Sequence, residues 1–260
     1  MERRLDTLES IAILDGLTAE ARRNLAARCS WRDFKPHQQI VGHQEGSRTV
    51  FFLTAGKAHA TMFSENGKQV TFRDITAGEM FGEFAAIDGK PRSATVEAVS
   101  RCTVATMSPE LFWEVLRAEP TVMAAVLKRL TSQVRVLSEK VFELATLAVR
   151  KRIQAELLRL SEPSVTEVGN AVLFPAPTDN DIATRVATTR ETVNRELSEM
   201  IESGAIEKHG RTLVIPSIEK LRSLLAEETE HYRVAVPDGR KKTGSAQRKP
   251  LRSPAPEQAG

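Results

Sequence analysis

Eight apolar residues in the middle of the chain, Met123, Leu127, Leu130, Val134, Leu137, Val141, Leu144 and Ala148, are spaced alternately four and three apart. This repeat puts all eight on one seam of an α-helix, slanted so that a second helix can follow it. At 1.5 Å per residue the seam demands ~38 Å of uninterrupted helix. The first turns after Pro120 can pack on the chain's own N-terminal part, but a seam of more than three heptads predicts pairing with a second copy of the chain. A chain of 260 residues leaves room for one module before this helix and one behind it.

The module before it changes texture twice. Leu14, Leu17, Ala21 and Leu25 recur at helical spacing within Leu5–Cys29. From Trp31 to Met107 the pattern becomes short strands: Val50–Leu53, Ala58–Phe63, Val70–Ile75 and Thr95–Ala98, separated by Gly42, Gly46, Gly56, the turn Glu65-Asn66-Gly67, and Gly78. Many short strands at such spacing predict a β-barrel or jelly roll rather than a parallel sheet. Ser108 and Pro109 then have the residue types of a helix N-cap and first position.

Behind the long helix come a second helix, Val149–Leu160, and a polar connection, Ser161–Pro177. Thr178-Asp179-Asn180-Asp181 has the capping-box pattern and opens a helix with Ile182, Ala183 and Val186 inward. After a turn, Thr188 or Thr189 caps another helix whose buried stripe is Val193, Leu197 and Met200 or Ile201. Ile206–Lys208 and Thr212–Ile215 form a candidate hairpin wing through His209-Gly210-Arg211, and an amphipathic helix follows Ser217. The expected units are therefore residues 1–118, a long helix over 119–148, a helix-turn-helix domain over 149–233, and a disordered basic tail over 234–260. The fold class is α+β.

The distribution of charge says more about nucleic-acid binding than its total. The total is +3, yet residues 161–233, which hold the helix-turn-helix pattern, carry eight basic against thirteen acidic side chains, net −5. The positive excess sits in residues 121–160 and in the tail. Specific DNA contact must come from a few placed arginines and helix N-termini, with the +4 tail as the other candidate contributor, of sequence-independent affinity. No apolar run is long enough to cross a bilayer, and the charged start Met1–Leu14 lacks the apolar core of a secretion signal. Two isolated cysteines, Cys29 and Cys102, suggest a reducing compartment, so a cytoplasmic protein with no membrane partner is expected.

Two motifs carry chemistry. The first is Phe81-Gly82-Glu83-Phe84-Ala85-Ala86-Ile87-Asp88-Gly89-Lys90-Pro91-Arg92-Ser93. Gly82 lets backbone approach a ligand, Glu83 can accept from a sugar hydroxyl, and Arg92 offers a planar fork to phosphate oxygens with the Ser93 hydroxyl beside it. This run resembles the phosphate-binding cassette of cyclic-nucleotide-binding domains, whose fold is an eight-stranded jelly roll. The resemblance implies a ligand site at Gly82, Glu83, Phe84, Arg92 and Ser93, with Arg92 and Ser93 on the cyclic phosphate and Glu83 on the ribose 2′-hydroxyl. Leu137-Ser138-Glu139-Lys140-Val141 is similar to the stretch of bacterial cyclic-AMP receptor proteins where a Thr-Ser pair touches the purine, which makes Ser138 a ligand residue. Leu137 stands where that group has Thr, removing one hydroxyl from base recognition; cAMP is the leading effector and cGMP the alternative.

The second motif is Thr188-Thr189-Arg190-Glu191-Thr192-Val193-Asn194-Arg195-Glu196-Leu197, where Arg190, Glu191, Asn194 and Arg195 share the face opposite the buried stripe. Arg can bind guanine through two hydrogen bonds, and Glu can accept from cytosine N4. The string resembles the recognition helix of the cyclic-AMP receptor group of bacterial transcription factors. That resemblance spans roughly residues 10–215. It implies Arg190, Glu191 and Arg195 as base readers and Thr189 and Thr192 as phosphate contacts, with Asn194 in place of a small residue, where it adds or obstructs a base contact. Ala187 occupies a turn where Gly is common; a left-handed Ala costs about 1–2 kcal/mol.

The reading is a cyclic-nucleotide-responsive DNA-binding transcription regulator, not an enzyme. It is expected to act as a homodimer on a pseudo-palindromic double-stranded operator, with RNA polymerase as a further partner. The alternatives are a nucleotide-binding regulatory subunit acting on a partner protein, and a same-fold sensor of another ligand such as haem. Against the last, two cysteines cannot supply a four-thiolate cluster, and His37, His43, His59, His209 and His231 show no metal-ligand spacing.

Overall fold

A computed structural model describes residues 8–227; the expected basic tail and His231 lie outside them. Helix α1 (Ala19–Arg28) follows a short 3-10 turn, Ala12–Leu14. Eight strands then form the jelly roll: β1 (Ser30–Phe34), β2 (Gln39–Val41), β3 (Val50–Ala55), β4 (Lys57–Phe63), β5 (Gln69–Thr76), β6 (Met80–Phe81), β7 (Thr95–Ala98) and β8 (Cys102–Met107). They make two four-stranded antiparallel sheets, in orders β1-β8-β3-β6 and β2-β7-β4-β5.

Strand β3 shows why the roll reads as a continuous apolar run rather than an alternation. Phe51 and Leu53 point into the space between the sheets with Phe34, Ile75, Phe81, Val96 and Val104. Val50 and Phe52 point outward beneath a second core made by Leu8, Ile11, Leu14, Leu111, Phe112, Val122 and Val126. A strand covered on both faces needs apolar residues at every position.

Helix α2 (Glu83–Asp88) lies between β6 and β7. Helix α3 (Pro109–Ala118) starts as its sequence requires, with the Ser108 hydroxyl accepting from the Leu111 amide. Helix α4 (Pro120–Thr146) is the long helix. Val122 and Val126 anchor it to the roll, while the seam residues Leu127, Val134 and Val141 are 58%, 62% and 65% exposed in the single chain. The helix stops short of the expected seam end. Leu147 and Ala148 have extended backbones, and Ala148 is the N-cap of helix α5 (Val149–Ser161), so it belongs to the hinge.

The C-terminal unit comprises α5, β9 (Ala171–Leu173), α6 (Asp179–Val186), α7 (Arg190–Glu202), β10 (Glu207–His209), β11 (Thr212–Ile215) and α8 (Ile218–Glu227). Two boundaries differ from the sequence reading. The polar connection contains β9, a three-residue strand too short to show a period, which pairs with β11 to make the wing a three-stranded sheet. The first wing strand begins at Glu207, one residue later than expected, because Ile206 is fully buried in the core with Ile153, Leu157, Ile182, Val193 and Leu197. Met200, not Ile201, completes the buried stripe of α7. Lys151 of α5, itself buried, donates to the Leu224 and Leu225 carbonyls and holds α8 against α5.

Candidate functional site

The cassette folds around Gly82. Its φ of +79° belongs to the left-handed region, and a Cβ there would meet the Thr49 carbonyl and the Phe51 ring at 3.0 Å. Glycine is therefore required on both counts. The turn sets Glu83 at the start of α2, buried, and places Arg92 under the same segment. The Arg92 guanidinium commits three of its five N–H donors to protein acceptors, leaving one on each terminal nitrogen: Nη1 donates to the Gly82 carbonyl at 2.8 Å, Nη2 to the Thr49 carbonyl at 2.7 Å, and Nε to Ser47 Oγ at 3.1 Å. Its plane also lies 5.4 Å from the centre of the Phe51 ring. Arg92 thus fastens the cassette to β3.

A cavity of ≈ 100 Å³, open to solvent, gathers Gly82, Glu83, Phe84, Arg92 and Ser93, with Val41, Ile75 and Val96 as an apolar wall. Five of the six expected ligand residues meet here. Ser138 does not: it is exposed on α4, and its Oγ donates to the Val134 carbonyl one turn back. The single chain therefore leaves Ser138 outside this cavity.

Two lining residues were missed in the sequence, Arg73 of β5 and Gln133 of α4. Neither belongs to a local motif; only tertiary packing brings them beside Glu83. Burial pushes the Glu83 carboxyl above its usual range, against its own backbone amide, Arg73, Arg129 and Gln133, which favour the charged form. Arg73 is shifted down by burial and by the neighbouring Arg129. Arg129 of α4 donates to Glu79 at 3.0 Å and to the Met80 carbonyl at 2.8 Å.

The same strand β5 meets the C-terminal unit. Asp74, next to Arg73, accepts from Arg185 of α6 at 2.6 Å, and His59 Nδ1 lies 2.7 Å from the same oxygen. Burial would raise the Asp74 carboxyl, but His59 and Arg185 outweigh it and hold it at about 2. Thr71 donates to Thr184 at 3.0 Å, and Lys140 of α4 donates to the Phe72 carbonyl at 3.1 Å. Across the hinge, Arg159 pairs with both Glu143 and Glu156.

In α6 the capping box is complete: the Thr178 hydroxyl accepts from the Asp181 amide, and the Asp181 carboxylate accepts from the Thr178 amide. Ala187 has φ 54° and ψ 48°, the left-handed conformation that its turn demanded. Thr189 caps α7 by accepting from the Thr192 amide. Arg190, Glu191, Asn194 and Arg195 are all exposed on its outer face. Thr192 is half-buried, and its hydroxyl lies 3.1 Å from that of Thr189. The backbone and Thr189 hold the Glu191 carboxyl below its usual range.

Family models bear directly on these two sites. Residues 31–119 match the cyclic nucleotide-binding domain and residues 151–224 the Crp-like helix-turn-helix domain. The chain belongs to the cyclic-AMP receptor family of transcription regulators. It is a cyclic-nucleotide-binding, DNA-binding regulator of that family. The cAMP-activated global transcriptional regulator CRP of Salmonella typhimurium is 26% identical over 190 residues, covering 73% of this chain and 90% of that one. A CRP-like cAMP-activated global transcriptional regulator of Mycobacterium tuberculosis is 22% identical over 217 residues, 83% and 97% of the two chains. The fold recurs in a CooA mutant from Carboxydothermus hydrogenoformans, with TM-score 0.68 and 18% identity over 78% of this chain and 90% of that one. It recurs again in the c-di-GMP responsive global regulator CLP of Xanthomonas campestris, with TM-score 0.64 and 20% identity over 73% and 94%. Among the described residues no helix is long and apolar enough to cross a membrane, and no group of His, Cys, Asp and Glu could hold a metal ion. Both cysteines are buried and free.

Proposed function

We propose that a cyclic nucleotide, with cAMP the leading candidate and cGMP the alternative, occupies the cavity of the roll. Its cyclic phosphate would sit on Arg92 and Ser93, its ribose 2′-hydroxyl on Glu83, and Phe84 and Gly82 would close the site. The observation that carries this reading is the convergence of Gly82, Glu83, Phe84, Arg92 and Ser93 on one cavity. Two chains pair along α4, whose seam is otherwise left in water, and pairing brings Ser138 of each chain toward the partner's base. Two recognition helices then lie about one turn of DNA, ~34 Å, apart on a pseudo-palindromic operator. Arg190, Glu191, Asn194 and Arg195 face the bases, and Thr189 and Thr192 the phosphates. In this reading the chain divides into a nucleotide-binding roll, the pairing helix α4 and a helix-turn-helix domain, with the last division at Leu147–Ala148, where α4 gives way to α5.

Nucleotide regulates this assembly only if it binds the DNA-competent arrangement more tightly than the other. Strand β5 supplies the link, since Arg73 lines the cavity while Asp74 holds α6. RNA polymerase is the partner on the operator, met through the connection 161–177, where Val168 and Phe174 stand exposed. The protein works in the cytoplasm and catalyses no reaction.

Titration with cAMP and cGMP, followed by intrinsic fluorescence and by operator gel shift, tests this. Arg92→Ala is expected to lose the nucleotide response. Arg190→Ala is expected to bind nucleotide as the parent does and to lose specific DNA binding. An Arg190→Ala protein with unchanged operator affinity contradicts the assignment.

A further inference from the structure

The outer face of α7 contains one contact that ties a base-facing side chain to the rest of the helix-turn-helix. Asn194 Nδ2 donates to Asp179 Oδ2 at 3.1 Å, from the second turn of α7 to the first residue of α6. An ionised carboxylate accepts hydrogen bonds and donates none. The amide must therefore turn its NH2 group toward Asp179, and its orientation is set by charge rather than by chance. What it still presents from the exposed face is one acceptor, Oδ1, and one remaining N–H.

That pair of groups matches one base. In the major groove adenine offers the N6 donor beside the N7 acceptor. Guanine offers two acceptors, one of which would face Oδ1. Cytosine offers a donor without the neighbouring acceptor, and thymine an acceptor and a methyl group. Asn194 lies one turn beyond Arg190 on the same side of the helix, so the base it meets is within the half-site that Arg190 and Glu191 read.

We propose that Asn194, oriented by Asp179, is a specificity-determining residue that selects adenine at one position of each half-site. The proposal rests on α7 being the recognition helix. It adds to that reading a base identity and a positioning residue, Asp179, which itself lies on the other helix.

The test is selection of DNA from a random pool by the full chain with cAMP present, using the parent, Asn194→Ala and Asp179→Ala. Asn194 is exposed and helical, so alanine there leaves the fold intact, which circular dichroism checks. The parent is expected to select one adenine per half-site that Asn194→Ala no longer selects, with all other positions retained. Replacing that adenine should weaken the parent roughly tenfold or more and leave Asn194→Ala unaffected. Asp179→Ala should reduce the preference at the same position only. Identical preferred sites for the parent and Asn194→Ala overturn the proposal. If Asp179→Ala keeps the full adenine preference, the positioning role is overturned. A parent protein that selects no sequence at all overturns the recognition-helix reading on which the proposal stands.

Discussion

Arg185 of α6 donates to Asp74 of β5 at 2.6 Å, joining the DNA-reading unit to the strand that also lines the nucleotide cavity through Arg73. The arginine is not committed to Asp74 alone, since its other terminal nitrogen lies 3.7 Å from buried Glu156 of α5. One guanidinium therefore touches the nucleotide domain, the hinge-proximal helix and the helix-turn-helix together.

Acid should loosen this junction in a defined window. Asp74 is held at about 2 against an ordinary value of 3.8, so its pairing contributes fully above pH 4 and is lost as pH falls toward 2. Carboxyl chemical shifts followed by NMR should place Asp74 near 2 in the parent. In Arg185→Ala the same carboxyl should titrate higher, and a parent value near 3.8 would remove the ion pair from the account.

Replacing Arg92 should do two things at once. Its three nitrogens hold Ser47, Thr49 and Gly82, so alanine leaves the half-buried Thr49 and Gly82 carbonyls without these donors, at a cost of about 1–3 kcal/mol in all, since water can reach part of them and reaches the exposed Ser47 freely. A lowered melting temperature in the absence of nucleotide, together with loss of the melting shift that cAMP gives the parent, is the expected result. A variant that melts as the parent does would deny Arg92 its role in holding the cassette.

The seam of α4 predicts a dimer that a single charge can break. Val141→Glu replaces an exposed side chain of the single chain, so the monomer fold should survive. Sedimentation should show a dimer for the parent and a monomer for the variant, with far-ultraviolet circular dichroism unchanged. A variant that still sediments as a dimer would move the interface elsewhere.

Ala187 stores strain in the turn between α6 and α7, at φ 54°. Glycine adopts this conformation without the Cβ clash, so Ala187→Gly should stabilise the helix-turn-helix by about 1 kcal/mol despite the entropy glycine loses on folding. Thermal unfolding reads the sign directly.

Legibility in the sequence followed the range of the interactions. The capping box at Thr178, the Ser108 cap and the shared exposed face of Arg190, Glu191, Asn194 and Arg195 are set by residues within five of each other, and each appears where the spacing put it. Strand β9 escaped because three residues cannot display a period and its pairing partner, β11, is some forty positions away. Arg73 and Gln133 escaped because their place in the cavity depends on how β5 and α4 pack beside α2. Ala148 fits the heptad spacing yet leaves the helix, since an apolar repeat marks a face and does not mark where hydrogen bonding stops. The net −5 of residues 161–233 acquires a physical meaning from the same structure. Part of its acidic surplus is paired inside the fold, Glu196 and Glu199 with Arg150 of α5, while the outward face of α7 keeps Arg190 and Arg195, the latter also reaching Glu196 at 3.2 Å.

The central claim is that nucleotide in the roll controls DNA binding by α7. Operator affinity of the parent and of Arg92→Ala, each measured with and without saturating cAMP on a site the parent selects, tests it most directly. The parent should tighten on its operator by at least tenfold when cAMP is added, and Arg92→Ala should show equal, weak affinity in both conditions. A parent whose operator affinity is the same with and without cAMP, and with and without cGMP, would contradict the account.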